Sequence, residues 1–283
     1  MLPLTPIVKY MIIINVVVFA VVVLPGELGY QTGLADALAM YYPSDDRFRT
    51  YQIVTHFFMH ASLPHILFNM MGLYFLGPIL EMRIGSSKFL GLYLLAALGS
   101  AALHTGQIWF TAGRYEELAA AFSAAPSLET FTNFFGRIRT ESLIEGGQSL
   151  SKLVGEIENN LTFDKDLAGS LERGRYLMDS YVDYLKSTPV VGASGAISGV
   201  AAAFAVFFPW QKLQIIFIPI GIYAAYLIPF IFAVDLFLGV MDFGFDNIAH
   251  WAHLGGGITG ALLAFVWRKT TAPPWLRRWD EGA

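Results

Sequence analysis

Ser194 stands between two glycines in Val191-Gly192-Ala193-Ser194-Gly195-Ala196-Ile197-Ser198-Gly199, at the mouth of a long apolar run. A serine that attacks a carbonyl needs an uncluttered backbone, so that its oxygen is reachable and nearby N–H groups can face an oxyanion. The same string has a plainer use: Gly195 and Gly199 form a small-xxx-small face on which helices approach closely. Histidine is the usual proton acceptor for such a serine, and the chain has six: His56, His60, His65, His104, His250 and His253. His56 and His60, or His250 and His253, are also spaced to share one helix face as zinc ligands do. No His-Glu-x-x-His arrangement accompanies them and there is no cysteine, so the residues favour serine chemistry, with no metal and no cofactor expected.

The elements that must position these groups lie in a membrane. Hydrophobic residues make up 55% of the 283 and charged residues 14%, against about 25% charged in soluble domains; mean hydropathy is +0.53. The net charge of -4 provides no basic field for nucleic acid. Without cysteine, disulfides and thiol catalysis are excluded. Helices that cross the hydrocarbon core need roughly 17–25 mostly apolar residues. Six stretches are candidates: Ile7–Leu24, Pro64–Leu80, Phe89–His104, Gly192–Trp210, Ile215–Val234 and Ile248–Trp267. Each must be helical because lipid cannot satisfy bare backbone groups, and the fifth is interrupted by Pro219 and Pro229. Lys9 and the apolar Met11–Leu24 imitate a secretion signal, but Leu24-Pro25-Gly26-Glu27 is no small-x-small cleavage site, so the first span is expected to be retained. The chain therefore reads as an all-α polytopic membrane protein.

Lys9, Arg83, Lys88, Lys212, Arg268, Lys269, Arg277 and Arg278 flank one side, whereas the other has only Arg47 and Arg49 outside one long insert. The positive-inside rule then puts both termini in the cytoplasm, and spans two, four and six all start from the extracytoplasmic face. Five of the six histidines lie at those ends of spans two and six. Ser194, counted from Thr188, lies roughly 9 Å into its helix, and His253, counted from Asp246, roughly 10 Å. Equal depth lets the two side chains meet, and Gly255, Gly256, Gly257 and Gly260 are expected to seat span six against span four. Asp235, Asp242 and Asp246 fall near span ends and read as solvated carboxylates, which leaves a Ser–His dyad without a third member. The polar insert, Thr105–Thr188, reads as helix, with Phe131, Phe134, Phe135 and Ile138, then Leu150, Leu153, Val154 and Ile157, at helical spacing.

These residues resemble the rhomboid family of intramembrane serine proteases. The matching segments are His65-Ile66-Leu67-Phe68-Asn69, Gly192-Ala193-Ser194-Gly195 and Ala252-His253-Leu254-Gly255-Gly256 with Gly260. Thr55-His56-Phe57-Phe58-Met59-His60 and Glu81-Met82-Arg83-Ile84-Gly85-Ser86 match as well. Tyr51-Gln52 departs from the Trp-Arg pair of many bacterial members, and the long insert is unusual. The resemblance implies one rhomboid-like membrane domain over residues 1–283, a six-transmembrane-helix bundle with residues 105–188 as an extracytoplasmic helical insert between spans three and four. It implies an endopeptidase that cleaves peptide bonds in or near transmembrane segments, with Ser194 as nucleophile and His253 as base. Asn69, His65 and Gly192 would serve the oxyanion and the bound substrate, His250 would be a packing residue, and span five would be a mobile wall. The implied partners are transmembrane protein substrates and the lipid bilayer, with no nucleic acid, and the implied place is the bacterial cytoplasmic membrane. The alternatives are an inactive rhomboid-like scaffold that binds transmembrane helices and, from the proline-broken fifth span, a transporter.

Overall fold

A computed structural model describes residues 3–268 except 31, 137, 139–143, 146–147, 164, 215–219 and 242–247. The chain begins with α1 (Pro6–Val18), which runs through a π-helical turn, Phe19–Val23, into α2 (Leu24–Glu27). Three short helical pieces follow, α3 (Leu34–Leu38), α4 (Gln52–Thr55) and a 3-10 turn at His56–Phe58. The long helices α5 (Leu63–Ile84) and α6 (Ser86–Ala124) come next. Then come α7 (Leu128–Phe135), a two-residue hairpin of β1 (Ile144–Glu145) and β2 (Gln148–Ser149), α8 (Leu150–Phe163) and α9 (Leu167–Ser187). The chain continues through α10 (Ser194–Phe207), an antiparallel pair β3 (Lys212–Gln214) and β4 (Gly221–Tyr223), α11 (Ala224–Met241) and α12 (His250–Arg268).

Two compact units result. One comprises Met1–His104, Pro189–Met241 and Ala249–Ala283, and the other Thr105–Thr188 with Asp242–Ile248. The first unit is the all-α membrane bundle: α1, the first part of α6, α5, α10, α11 and α12 stand where the six spans are expected. Among the described residues, four helical stretches are long and apolar enough to cross a membrane, namely Pro6–Gly26, α5, α6 and α11.

Several boundaries differ from the sequence expectation, for local reasons. The fifth span begins at Ala224, not Ile215, because Lys212–Gln214 pairs with Gly221–Tyr223 as a hairpin; Pro219 lies outside the described residues. It then extends to Met241 and tolerates Pro229 in its interior. Span three does not stop at His104 but continues as α6 to Ala124. Span four is only 14 residues long, about 21 Å against a hydrocarbon core of about 30 Å. It starts at Ser194 because Gly192, at φ 123°, holds a conformation that helices exclude. Irregular backbone at such depth persists only where protein or a water-filled cavity lines it.

One carboxylate organises an end of the bundle. Glu81, near the end of α5, is buried and accepts the N–H groups of Ile7 (3.1 Å) and Val8 (3.0 Å). It also accepts the hydroxyls of Thr5 and Ser86. It thus caps α1 and the start of α6 together, satisfying donors that a helix leaves open at its N-terminus. Gly85, at φ 84°, makes the turn between α5 and α6. Above this clamp Val8, Leu73, Leu80, Phe89, Leu92, Tyr93 and Val200 form the buried centre of the first unit.

Glycine decides where α12 sits. A methyl group on Gly256 would overlap the Gly195 carbonyl, and one on Gly260 the Gly199 carbonyl, so α10 and α12 touch backbone to backbone. Gly255 and Gly257 do not join that contact as expected. Gly255 faces the Gly99 carbonyl of α6, and Gly257 lies under the Phe232 ring of α11. Successive helical residues point about 100° apart, so the glycine run seats α12 against three helices at once.

The second unit has its own core. Phe131, Phe134 and Phe135 of α7 and Leu150, Val154 and Ile157 of α8 are buried with Leu177, Met178 and Val182 of α9. Ile138 and Leu153 pack against them, so the helical spacing read in the insert corresponds to an internal apolar seam.

Candidate active site

Ser194 is the first residue of α10, and Ala193 before it gives no side-chain cap. The first N–H groups of that helix therefore point outward with a partial positive charge, the arrangement that suits an anion. The segment before it is held from two directions. The Gly192 N–H donates to the His56 carbonyl (2.9 Å), and Val190 and Met40 exchange N–H···O bonds of 2.8 and 3.0 Å. His253 falls in the first turn of α12, which starts at His250. The depths counted from Thr188 and Asp246 were too large, since α10 begins at the residue itself; the first-turn placement is nevertheless common to both. Their chain neighbours meet at the glycine crossing: a methyl on Gly195 would lie 3.4 Å from the carbonyl of Ala252, the neighbour of His253.

Gly192 and His65 stand beside Ser194. A side chain on Gly192 would have its first carbon 3.0 Å from His65 Nε2 and 3.7 Å from Ser194 Oγ. The hydroxyl and the imidazole thus look at one point, and Gly192 is required both by that space and by its positive φ. His65 Nδ1 accepts the Ala61 N–H (3.3 Å), which assigns its proton to Nε2, the nitrogen on the Gly192 side. Asn69, one turn further along α5, is buried with an Nδ2 that has no hydrogen-bond partner among the described residues. A buried amide left so costs about 1–3 kcal/mol.

The other histidines surround this point. His60 is 1% exposed, its ring 5.1 Å from that of His65, and burial pushes its pKa down to about 4. His56 Nδ1 donates to the Gln52 carbonyl (2.7 Å), and burial holds its pKa at about 4 as well. His104 lies near enough to interact electrostatically with both His56 and His253. Sequence reasoning had not included it in the cluster, because α6 was expected to end there.

The first loop is anchored by the residue that departs from the family pattern. Gln52 is buried, accepts the Arg49 N–H (3.0 Å) and donates to the carbonyls of Ala37 (3.2 Å) and Arg47 (3.1 Å). Arg47 lies over the Tyr41 ring at 4.0 Å and pairs with Asp45, whose carboxyl that hydrogen bond holds below the usual range.

Asp235 was expected to be a solvated span-end carboxylate. It is instead 9% exposed inside α11, with Oδ1 2.6 Å from His250 Nδ1 and 3.3 Å from His253 Nδ1. The misreading follows from the boundary: a span ending at Val234 leaves Asp235 outside, whereas the helix continues to Met241. The signal that could have found it is a lone carboxylate within an apolar run. Asp242 and Asp246 lie outside the described residues. Among the described residues, Asp235, His250 and His253 are also the group able to offer a metal three ligand atoms, all within 4.8 Å of one another.

Comparison with known proteins gives the class. The profile of the Rhomboid domain matches residues 47–124 and 169–270, more than half of the chain. The chain belongs to the rhomboid family, and it is a multi-pass membrane protein. It is 29% identical over 119 residues to the Rhomboid protease GlpG of Yersinia pestis (strain Pestoides F), 42% of this chain and 40% of that protein. The Rhomboid protease GlpG of Yersinia pseudotuberculosis serotype O:3 (strain YPIII) gives the same figures. That of Salmonella newport (strain SL254) is 42% identical over 52 residues, 18% of this chain and 19% of that protein. The chain thus matches well under half the length of these curated relatives.

Proposed function

We propose that this protein is an intramembrane serine endopeptidase that cuts peptide bonds in or near the transmembrane segments of other membrane proteins. The observation that carries the reading is the meeting at the α10–α12 crossing. There α10 opens on Ser194 with His65 Nε2 beside it. His253 stands in the first turn of α12 next to Ala252, whose carbonyl lies at Gly195, and α5 carries the unpaired Asn69 amide. The Ser194 oxygen attacks the peptide carbonyl as its proton passes to His253. The new oxyanion takes hydrogen bonds from the α10 N-terminus, His65 Nε2–H and Asn69 Nδ2–H. As the C–N bond breaks, His253 returns the proton to the leaving amine, and water then hydrolyses the acyl-enzyme by the same route. The first unit is the catalytic membrane domain and residues 105–188 an extracytoplasmic insert. Both termini are cytoplasmic, and the chain resides in the bacterial cytoplasmic membrane.

Cleavage of a transmembrane substrate in proteoliposomes tests this. Ser194→Ala and His253→Ala should each abolish turnover while the protein stays folded, since residues that act as a unit lose most activity singly. Turnover by the purified Ser194→Ala protein would sink the serine mechanism, and a wild type that binds transmembrane helices without cutting them would be a scaffold. The Asp235-His250-His253 trio favours one second reading, a metalloprotease; activity that dialysis against EDTA removes and zinc restores would establish it.

A further inference from the structure

α11 meets α12 along one face at three consecutive levels. The Phe232 ring covers Gly257, Asp235 reaches His250 and His253, and the Gly239 carbonyl accepts the Trp251 indole N–H (3.2 Å). Residues 232, 235 and 239 are spaced three and four apart, so they share one stripe of the helix. The middle level is polar inside an apolar bundle. A carboxylate there is costly unless donors compensate it, and an ionised carboxylate only accepts, so both imidazoles present an N–H at Nδ1.

That bond decides which nitrogen of His253 is basic. A proton at Nδ1 leaves the lone pair on Nε2, the nitrogen a base must turn to the serine. We propose that Asp235, supplied by span five, is a positioning residue for His253 that stands behind the Ser194–His253 pair. The inference rests on the serine-protease reading. When Ser194 forms its bond to the substrate carbon, its proton moves to His253 Nε2; the ring then bears a positive charge that the Asp235 carboxylate, still ionised, faces across Nδ1–H. His250 holds the same oxygen by the shorter bond and fixes the carboxylate in place.

The test uses the full-length protein in liposomes. Asp235→Asn keeps the shape but removes the charge and lets the side chain donate. It should lower kcat by about 10- to 1,000-fold. That is less than the roughly 10⁴ of the equivalent trypsin-type change, since the N···O distance here is 3.3 Å. KM and the melting temperature should hold. Independently of any variant, 15N NMR of histidine-labelled wild type should find His253 protonated at Nδ1 at neutral pH, a signature that packing alone does not set. Wild-type kcat in Asp235→Asn, a joint loss of kcat, KM and melting temperature, or an Nε2–H tautomer in the wild type overturns the assignment. So does chelator-sensitive activity restored by zinc, which would make the trio a metal site. The first three outcomes leave the Ser194 mechanism standing; zinc-restored activity, or turnover by Ser194→Ala protein, removes both.

Discussion

At the scale of single residues, the site is defined by donors kept without partners. Asn69 Nδ2 is buried and unpaired among the described residues, a cost that a ground-state structure has no reason to carry unless something else uses the donor. Replacing Asn69 by Ala removes it and, in the proposed mechanism, takes one hydrogen bond from the oxyanion. Loss of such a donor typically costs about 10²–10³ in kcat. We therefore expect kcat on a transmembrane substrate to fall by that order while KM and folding are kept. A kcat within a factor of two of wild type would reduce Asn69 to a packing residue. The approach of Gly192 and His65 to Ser194 was foreshadowed by the family resemblance. Asp235 was not, since its meaning depends on where a helix ends, and periodicity is least informative at boundaries.

At the scale of elements, two features hold the site. The first is the crossing of α10 and α12, where the glycine pattern was legible but its division among neighbours was not. Which helix each glycine meets follows from rotation about α12, and a sequence does not state that. Gly256→Val would push side-chain carbon into the Gly195 carbonyl. Overpacking of this kind costs about 1–3 kcal/mol, so both the melting temperature and the cleavage rate should drop. A fully stable and active Gly256→Val protein would contradict the backbone contact. The second feature is the first loop, tied by Gln52 and by the buried rings of His56 and His60. Both rings have folded-state pKa values near 4, below the ordinary 6.5. Between those values the unfolded loop binds protons that the folded loop refuses. Stability is therefore complete above about pH 6.5 and is lost as pH falls toward 4. Thermal melts in detergent at pH 7 and pH 5 should show a lower midpoint at pH 5; an equal or higher one would mean that these rings are not buried neutral.

At the scale of the whole molecule, the all-α membrane class was visible in composition and run length, because the bilayer permits few alternatives. The separate core of the second unit was visible as spacing of Phe, Leu, Val and Ile residues, though not its division into α7, α8 and α9, which loops and caps determine. Nothing in the sequence said how Tyr51-Gln52 would anchor the first loop, because Gln52 binds backbone groups that any residue could supply. The central claim is that Ser194 is an activated nucleophile in a folded membrane enzyme, and a fluorophosphonate probe addresses it without knowledge of the substrate. The account predicts covalent labelling of the wild-type protein in liposomes at one site, mapped to Ser194. Labelling should be absent from Ser194→Ala and about 10²–10⁴-fold slower in His253→Ala, the range that general-base help supplies. A folded wild-type protein that resists the probe, or labelling that persists in Ser194→Ala, would contradict it.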